Sequence, residues 1–296
     1  MRISDKIKQK GFIITCEIDS PKGIGIEEFL DKVDVVKSYV DAITVGDNQR
    51  AVMRAAPLAV CHLLKERDVE PIMELSALYR NRLALQSDLL GAGIMGIDNV
   101  LLHDGWDPTM GDHIEAKPVH DLDCCGLVKA AASLTKGGDL GGHSLNEAPN
   151  FCVGVSINIG AGLSSDQVTQ IEDKIAAGAQ FIITQPVYDS TVLEEFLGTM
   201  KKFNTPLIVG HMMLKSSSMA RFINSNLPGV TVPDKIIKEL DKVPREQVAE
   251  KSLQMSVALL RKIKPLCQGF HFVPAGWERY IENLVQEVTG KVAVDQ

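Results

Sequence analysis

Short apolar runs alternate along this chain with longer stretches of helical periodicity. The first strand is predicted at Phe12-Ile-Ile-Thr-Cys-Glu17, with helix from Gly25 to Tyr39. The second is Ala42-Ile-Thr-Val45, followed by helix from Ala51 to Glu66. The third is Glu70-Pro-Ile-Met-Glu-Leu75, with helix from Asn81 to Leu90, and the fourth is Asn99-Val-Leu-Leu102. An irregular stretch rich in Gly, Asp, His and Pro follows, interrupted by helix from Leu122 to Leu134. The fifth strand is Phe151–Ile157, and its helix opens at Ser164-Ser165-Asp166, a cluster of good N-cap residues, and runs to Ala177. Phe181–Thr184 and Pro206–Val209 are the sixth and seventh strands, with helix from Thr191 to Lys202 between them. Helices at Ser217–Asn224, Pro233–Asp241 and Glu246–Ile263 precede the eighth strand, Gly269–Val273, and helix Trp277–Val288 closes the pattern.

Eight strands in strict alternation with helices imply a parallel sheet, and eight such units favour a closed (β/α)8 barrel over an open sheet. Several strands are apolar throughout, as expected where both faces are covered. The expectation is one catalytic barrel over residues 1–296, with one long insertion after the fourth strand at about Gly105–Asn150.

Composition changes this picture little. Hydrophobic residues are 45% and charged residues 23% of 296, an ordinary globular balance. A net charge of −7 argues against a nucleic-acid partner. Apolar runs are too short and interrupted for a membrane span, and the N-terminal ten residues have no apolar core of a signal peptide. Six cysteines without a CxxC pair read as reduced thiols of a cytoplasmic protein, and no metal site is expected. Gly91-Ala-Gly-Ile-Met-Gly96 matches GxGxxG, but it follows a helix and precedes a strand. A dinucleotide fingerprint needs the opposite order, so a helix C-cap and turn are predicted.

Active sites of these barrels lie at the C-terminal strand ends. The polar residues there include Glu17, Asp19, Thr44, Asp47, Gln49, Glu74, His103, Asp104, Ser156, Asn158, Gln185, His211 and His271. Glu17 ends an apolar run. Desolvation at the barrel mouth would favour its protonated form and suit a general acid, whereas a structural ion pair is the plainer alternative. Asp104 precedes Gly105, which would allow close backbone approach to a ligand. The expectation is a buried, ionised Asp104 beside a protonated Glu17, with an N-cap or turn role as the alternative. Gln185 carries a donor and an acceptor on one planar group and matches a heterocycle edge, unless it merely caps its strand. Asn158-Ile-Gly-Ala-Gly-Leu-Ser-Ser165 could cradle a phosphate at a helix N-terminus or be an ordinary loop. His103, His113, His120 and His143 cluster in the insertion region by sequence alone.

Taken together these residues resemble the methylenetetrahydrofolate reductase family. The resemblance rests on Cys16-Glu17-Ile-Asp-Ser-Pro21, Thr44-Val45-Gly46, Asp104, Lys174-Ile-Ala-Ala-Gly-Ala179 with Ile183-Thr-Gln185, and Phe270-His271-Phe272. It implies flavin-dependent reduction of 5,10-methylenetetrahydrofolate, with FAD ahead of FMN as cofactor. Glu17 would be the proton donor, Asp104 would stabilise the cationic substrate and tune the flavin, and Gln185 would hold the pterin. The cofactor would be bound by Thr44, Asp104, Ser156, Asn158 and Lys174. Ile18 and Asp19, Leu102, and Pro186-Val-Tyr188 replace family aromatic and Arg positions. The pattern is similar to divergent reductases of anaerobic one-carbon metabolism. It implies electrons from NADH or from a reduced partner subunit, and an oligomeric enzyme. Two readings compete: a flavin-free tetrahydrofolate/corrinoid methyltransferase, and a non-catalytic barrel subunit of a redox complex.

Overall fold

The computed structural model describes residues 1–160, 163–200, 204–227 and 229–290. Eight strands form: β1 (Ile13–Glu17), β2 (Ala42–Val45), β3 (Pro71–Ser76), β4 (Asn99–His103), β5 (Cys152–Ile157), β6 (Phe181–Pro186), β7 (Leu207–His211) and β8 (Gly269–Phe272). Every neighbour pair is parallel, and β8 pairs with β1, so the barrel is closed. The expected (β/α)8 architecture is therefore the observed one.

The helices are α1 (Ile3–Lys10), α2 (Glu27–Val36), α3 (Pro57–Lys65), α4 (Arg82–Ile94), α5 (Cys124–Thr135) and α6 (Ser165–Ala177). After them come α7 (Ser190–Met200), α8 (Ser217–Asn226), α9 (Asp234–Leu240), α10 (Val248–Ile263) and α11 (Ile281–Thr289). The predicted α7 ran on to Lys202, which lies outside the described residues. Local chemistry sets the starts. Asn81 accepts from the Leu83 and Ala84 amides, Asp123 from Gly126, and Ser164 forms a capping box with Gln167. The GxGxxG run ends α4: Gly91 and Gly93 lie inside the helix, and Gly96 turns the chain at φ +69.

Alternate strand residues point into the barrel. Ile13, Ala42, Ile72, Leu101, Cys152, Phe181, Ile183 and Ile208 form the interior core. Gly154 and Phe181 share a register position, and a Cβ on Gly154 would overlap the Phe181 ring. Helix α1, which the hydrophobic pattern did not reveal, packs Ile3 and Ile7 under this core and closes the barrel floor. Two apolar contacts among lysines are too sparse a signal, yet burial of each Ile is worth about 1.5–3 kcal/mol.

The long stretch after β4 is interrupted by a helix, as expected. Helix α5 divides it into a mouth-side stretch, 104–123, and a floor-side stretch, 136–150, because a helix carries the chain from one barrel end to the other. The floor-side stretch packs there: Pro149 meets Gly93, and Asn150 accepts from Arg2. His143 therefore lies away from His103, His113 and His120. Beside β7, a satellite core of Tyr188, Met212, Leu214, Ile237 and Leu240 surrounds the nearby His211.

Candidate active site

The polar strand ends meet in a cavity of about 320 Å³ at the C-terminal mouth. Glu17, Asp104, Ser156, Asn158, Lys174 and Gln185 all line it, together with Gln49, Glu74, His103 and His271. These residues come from β1, β3, β4, β5, β6 and β8 and from adjoining segments, so chain closure rather than sequence proximity assembles the site.

Glu17 is the last residue of β1, and its side chain is 16% exposed. Its partner is His271 on the neighbouring β8, with Nε2 at 3.7 Å from a carboxyl oxygen. The other imidazole nitrogen lies 2.9 Å from the Thr15 hydroxyl. Thr15, two residues before Glu17, faces the same barrel interior by strand alternation.

Asp104 departs from expectation. Its side chain is 63% exposed at the rim, not buried. Gly105, at φ +103, turns the chain sharply after β4, and the space a side chain would take there is filled by the Ser76 hydroxyl rather than left for a ligand. One Asp104 oxygen accepts from the Cys124 amide at 2.8 Å, and the other meets Lys174 Nζ at 3.3 Å. Burial alone would lower the Lys174 ammonium, but the Cys124 thiol and Asp104 outweigh it and hold the group above its ordinary value. Burial pushes the Cys124 thiol up to about 12.

Gln185 donates from Nε2 to the Ser156 hydroxyl at 3.2 Å, which fixes its amide plane across β5 and β6. Asn158 accepts from the Gly160 amide and shapes the start of the glycine-rich loop. Ala161 and Gly162, the middle of the expected phosphate cradle, lie outside the described residues. Thr44 is fully buried below the cavity, and its hydroxyl has no hydrogen-bond partner among the described residues.

Gln49, Glu74 and His103, among the strand-end residues left without an assigned part, also meet at the cavity. Glu74 interrupts the apolar run of β3 and is 6% exposed. Gln49 donates to it at 2.9 Å, and His103 Nε2 stands 3.6 Å from the same oxygen. Burial pushes the Glu74 carboxyl well above the usual carboxylate range, Glu17, Asp47 and Asp19 add to this, and the Gln49 hydrogen bond opposes it. Burial lowers the His103 imidazole, and its Nε2 has no hydrogen-bond partner among the described residues. The signal for Glu74 was the one used for Glu17, an acid in an apolar strand.

Gln49 is held by an unusual loop. Asn48, Arg50 and Ala51 all have positive φ, and the Gln49 side chain folds over Gly46 into space that a Cβ would occupy. Behind it, fully buried Asp47 receives both Arg80 nitrogens at 2.6 and 2.9 Å and the Ser76 amide at 2.9 Å.

The fold and mouth define a (β/α)8 barrel whose polar groups converge at the C-terminal strand ends. More narrowly, the chain belongs to the methylenetetrahydrofolate reductase family, whose sequence profile matches residues 2–289. Methylenetetrahydrofolate reductase 2 of Schizosaccharomyces pombe is 28% identical over 215 residues. That stretch covers 64% of this chain and 31% of the yeast protein, so the chain spans under a third of that relative's length. Among solved structures, an uncharacterized Clostridium thermocellum protein that binds two copies of 5-methyl-5,6,7,8-tetrahydrofolic acid superposes with TM-score 0.67 at 16% identity. The match covers 97% of this chain and 98% of that one. A 2,3-dimethylmalate lyase gives 0.53 at 9% identity, over 99% and 89% of the two chains. Both likenesses are of fold.

Proposed function

We propose that this barrel is one catalytic domain that reduces 5,10-methylenetetrahydrofolate to 5-methyltetrahydrofolate with a bound flavin, FAD ahead of FMN. The observation that carries the reading is the convergence of Glu17, Asp104 and Gln185 on one cavity in a chain of this family. The Clostridium protein's folate ligand supports it.

The wall suits a flat heterocycle with a polar edge. It offers the His103 Nε2, which accepts no hydrogen bond among the described residues, the Lys174 ammonium and the ordered Gln185 amide. Asp104, Ser156, Asn158 and Lys174 would hold the flavin; Thr44, fully buried and outside the cavity lining, would join them only after a local rearrangement. When bound, the flavin supplies the hydride. Glu17 holds the proton that the opening folate ring needs on nitrogen, and His271 fixes that carboxyl. Gln185 orients the pterin through donor and acceptor together. Asp104 places negative charge beside the cationic carbon. Electrons come from NADH or from a reduced partner subunit. Trp106 is the only Trp, Tyr or Phe among the described residues lining the cavity, and this favours the partner. The reading includes a cytoplasmic, oligomeric enzyme.

One observation favours a flavin-free folate methyltransferase instead: Gln49 fills the space over Gly46. Purification under anaerobic conditions separates the two. The reductase reading expects a yellow protein whose reduced flavin is reoxidised by methylenetetrahydrofolate. A colourless protein that still binds 5-methyltetrahydrofolate would reject it.

A further inference from the structure

Among the described residues three carboxyls at the mouth pair with Arg or Lys, whereas Glu17 and Glu74 each meet only an imidazole. Asp47 has Arg80, Asp104 has Lys174, Asp19 has Arg54 and Glu17 has His271. Glu74 has no Lys or Arg within ion-pair distance among the described residues. Its neighbours are the Gln49 amide and the imidazole of His103. The arrangement is constructed rather than incidental. The backbone of Asn48, Arg50 and Ala51 is strained, and Gly46 lacks a side chain where Gln49 must lie. Gln49 thereby occupies Oε2 of Glu74 and leaves Oε1 for another partner.

We infer that Glu74 and His103 together read the edge of the ligand's pyrimidine ring, Glu74 donating from its carboxylic O–H and His103 accepting at Nε2. Gln49 is a positioning residue for this pair. The inference rests on the proposed folate and flavin chemistry and deepens it. A fused pyrimidine lactam presents a C=O acceptor beside an N–H donor, which is the complement of this pair. Reduced pterins and flavins share that edge, so either could supply it. A buried pair left without its complement is costly, which makes the contact selective.

Ionisation of Glu74 would remove the donor and add an unpaired charge. The groups facing it set that balance. Glu17 and Asp19 from β1, Asp47 after β2, and Asp104 after β4 are acids. His103 and His271 are imidazoles, and the Cys61 thiol approaches from α3. The acids oppose a further negative charge, so Glu74 keeps its proton to higher pH than an ordinary carboxyl.

The test is calorimetric titration of the full chain with 5-methyltetrahydrofolate and, in a separate arm, FMN, between about pH 6 and 9. For the ligand whose edge is read, wild-type affinity should fall by up to about tenfold per pH unit once Glu74 ionises, with proton uptake on binding. Glu74→Gln keeps a donor at every pH, so its affinity should be flat over that range. His103→Leu should weaken the same ligand about tenfold at every pH. Buffers of different ionisation heat report the uptake in wild type, so no variant is needed for that part. Equal pH slopes in wild type and Glu74→Gln in both arms, together with unchanged affinity in His103→Leu, would overturn the inference and leave the reductase reading intact. Binding of neither ligand by wild type would overturn both.

Discussion

His271 bridges two residues of the neighbouring strand: its Nδ1 is 2.9 Å from the Thr15 hydroxyl, and its Nε2 is 3.7 Å from Glu17. Thr15 and Glu17 are two positions apart on β1, so both face inward. The imidazole is thus oriented at both nitrogens, and it in turn limits where the Glu17 carboxyl can point.

Glu17→Gln should bind 5-methyltetrahydrofolate within about threefold of wild type but lose about 10²–10⁴-fold in methylenetetrahydrofolate reduction. Turnover and binding are measured on the same preparation. Activity within tenfold of wild type would remove Glu17 as proton donor. Thr15→Val, which removes the hydroxyl at His271 Nδ1, should cost about tenfold.

Arg80→Met strands the fully buried Asp47 without its two-pronged partner. A loss of about 3–5 kcal/mol in urea unfolding is expected. A loss under 1 kcal/mol would mean that the Ser76 amide and Asn48 satisfy Asp47 by themselves.

His211 gives a pH-dependent term. Burial lowers its imidazole from 6.5 to about 4, against the raising effect of its bond to the Val187 carbonyl. The unfolded chain then binds more protons than the folded one between these values, so stability rises with pH across that window. The contribution is complete above about pH 6.5 and is lost as pH falls toward 4, by about 3 kcal/mol. Urea midpoints compared at the two ends should show this loss in wild type and a smaller one in His211→Gln.

Gly154→Ala drives a methyl into the Phe181 ring inside the barrel. About 1–3 kcal/mol of destabilisation is expected in thermal unfolding. Adding Phe181→Leu should recover part of it, since the two share one register position.

The barrel was legible because each strand is an apolar run of the right length and each helix has its own period. Glu17, Asp104 and Gln185 were legible as strand ends. Glu74 was visible as an acid among Pro71, Ile72, Met73 and Leu75, but nothing local says that Gln49 bends back to it. That contact depends on left-handed backbone at Asn48, Arg50 and Ala51, and of these only Asn is a residue type that favours it. The exposure of Asp104 was hidden for a similar reason: Gly105 signals a turn without giving its direction. Helix α1 escaped notice because only Ile3 and Ile7 of its eight residues are buried.

The division of the stretch after β4 by α5 has a practical consequence for engineering. Residues 136–150 are on the far end of the barrel from the mouth cavity, tied to Gly93 and Arg2. A reporter domain or affinity handle grafted into the exposed part of that segment, around Gly141 and Gly142, would leave the mouth untouched. The same graft within 104–123 would sit beside Asp104 and Trp106 and compete with whatever enters the barrel.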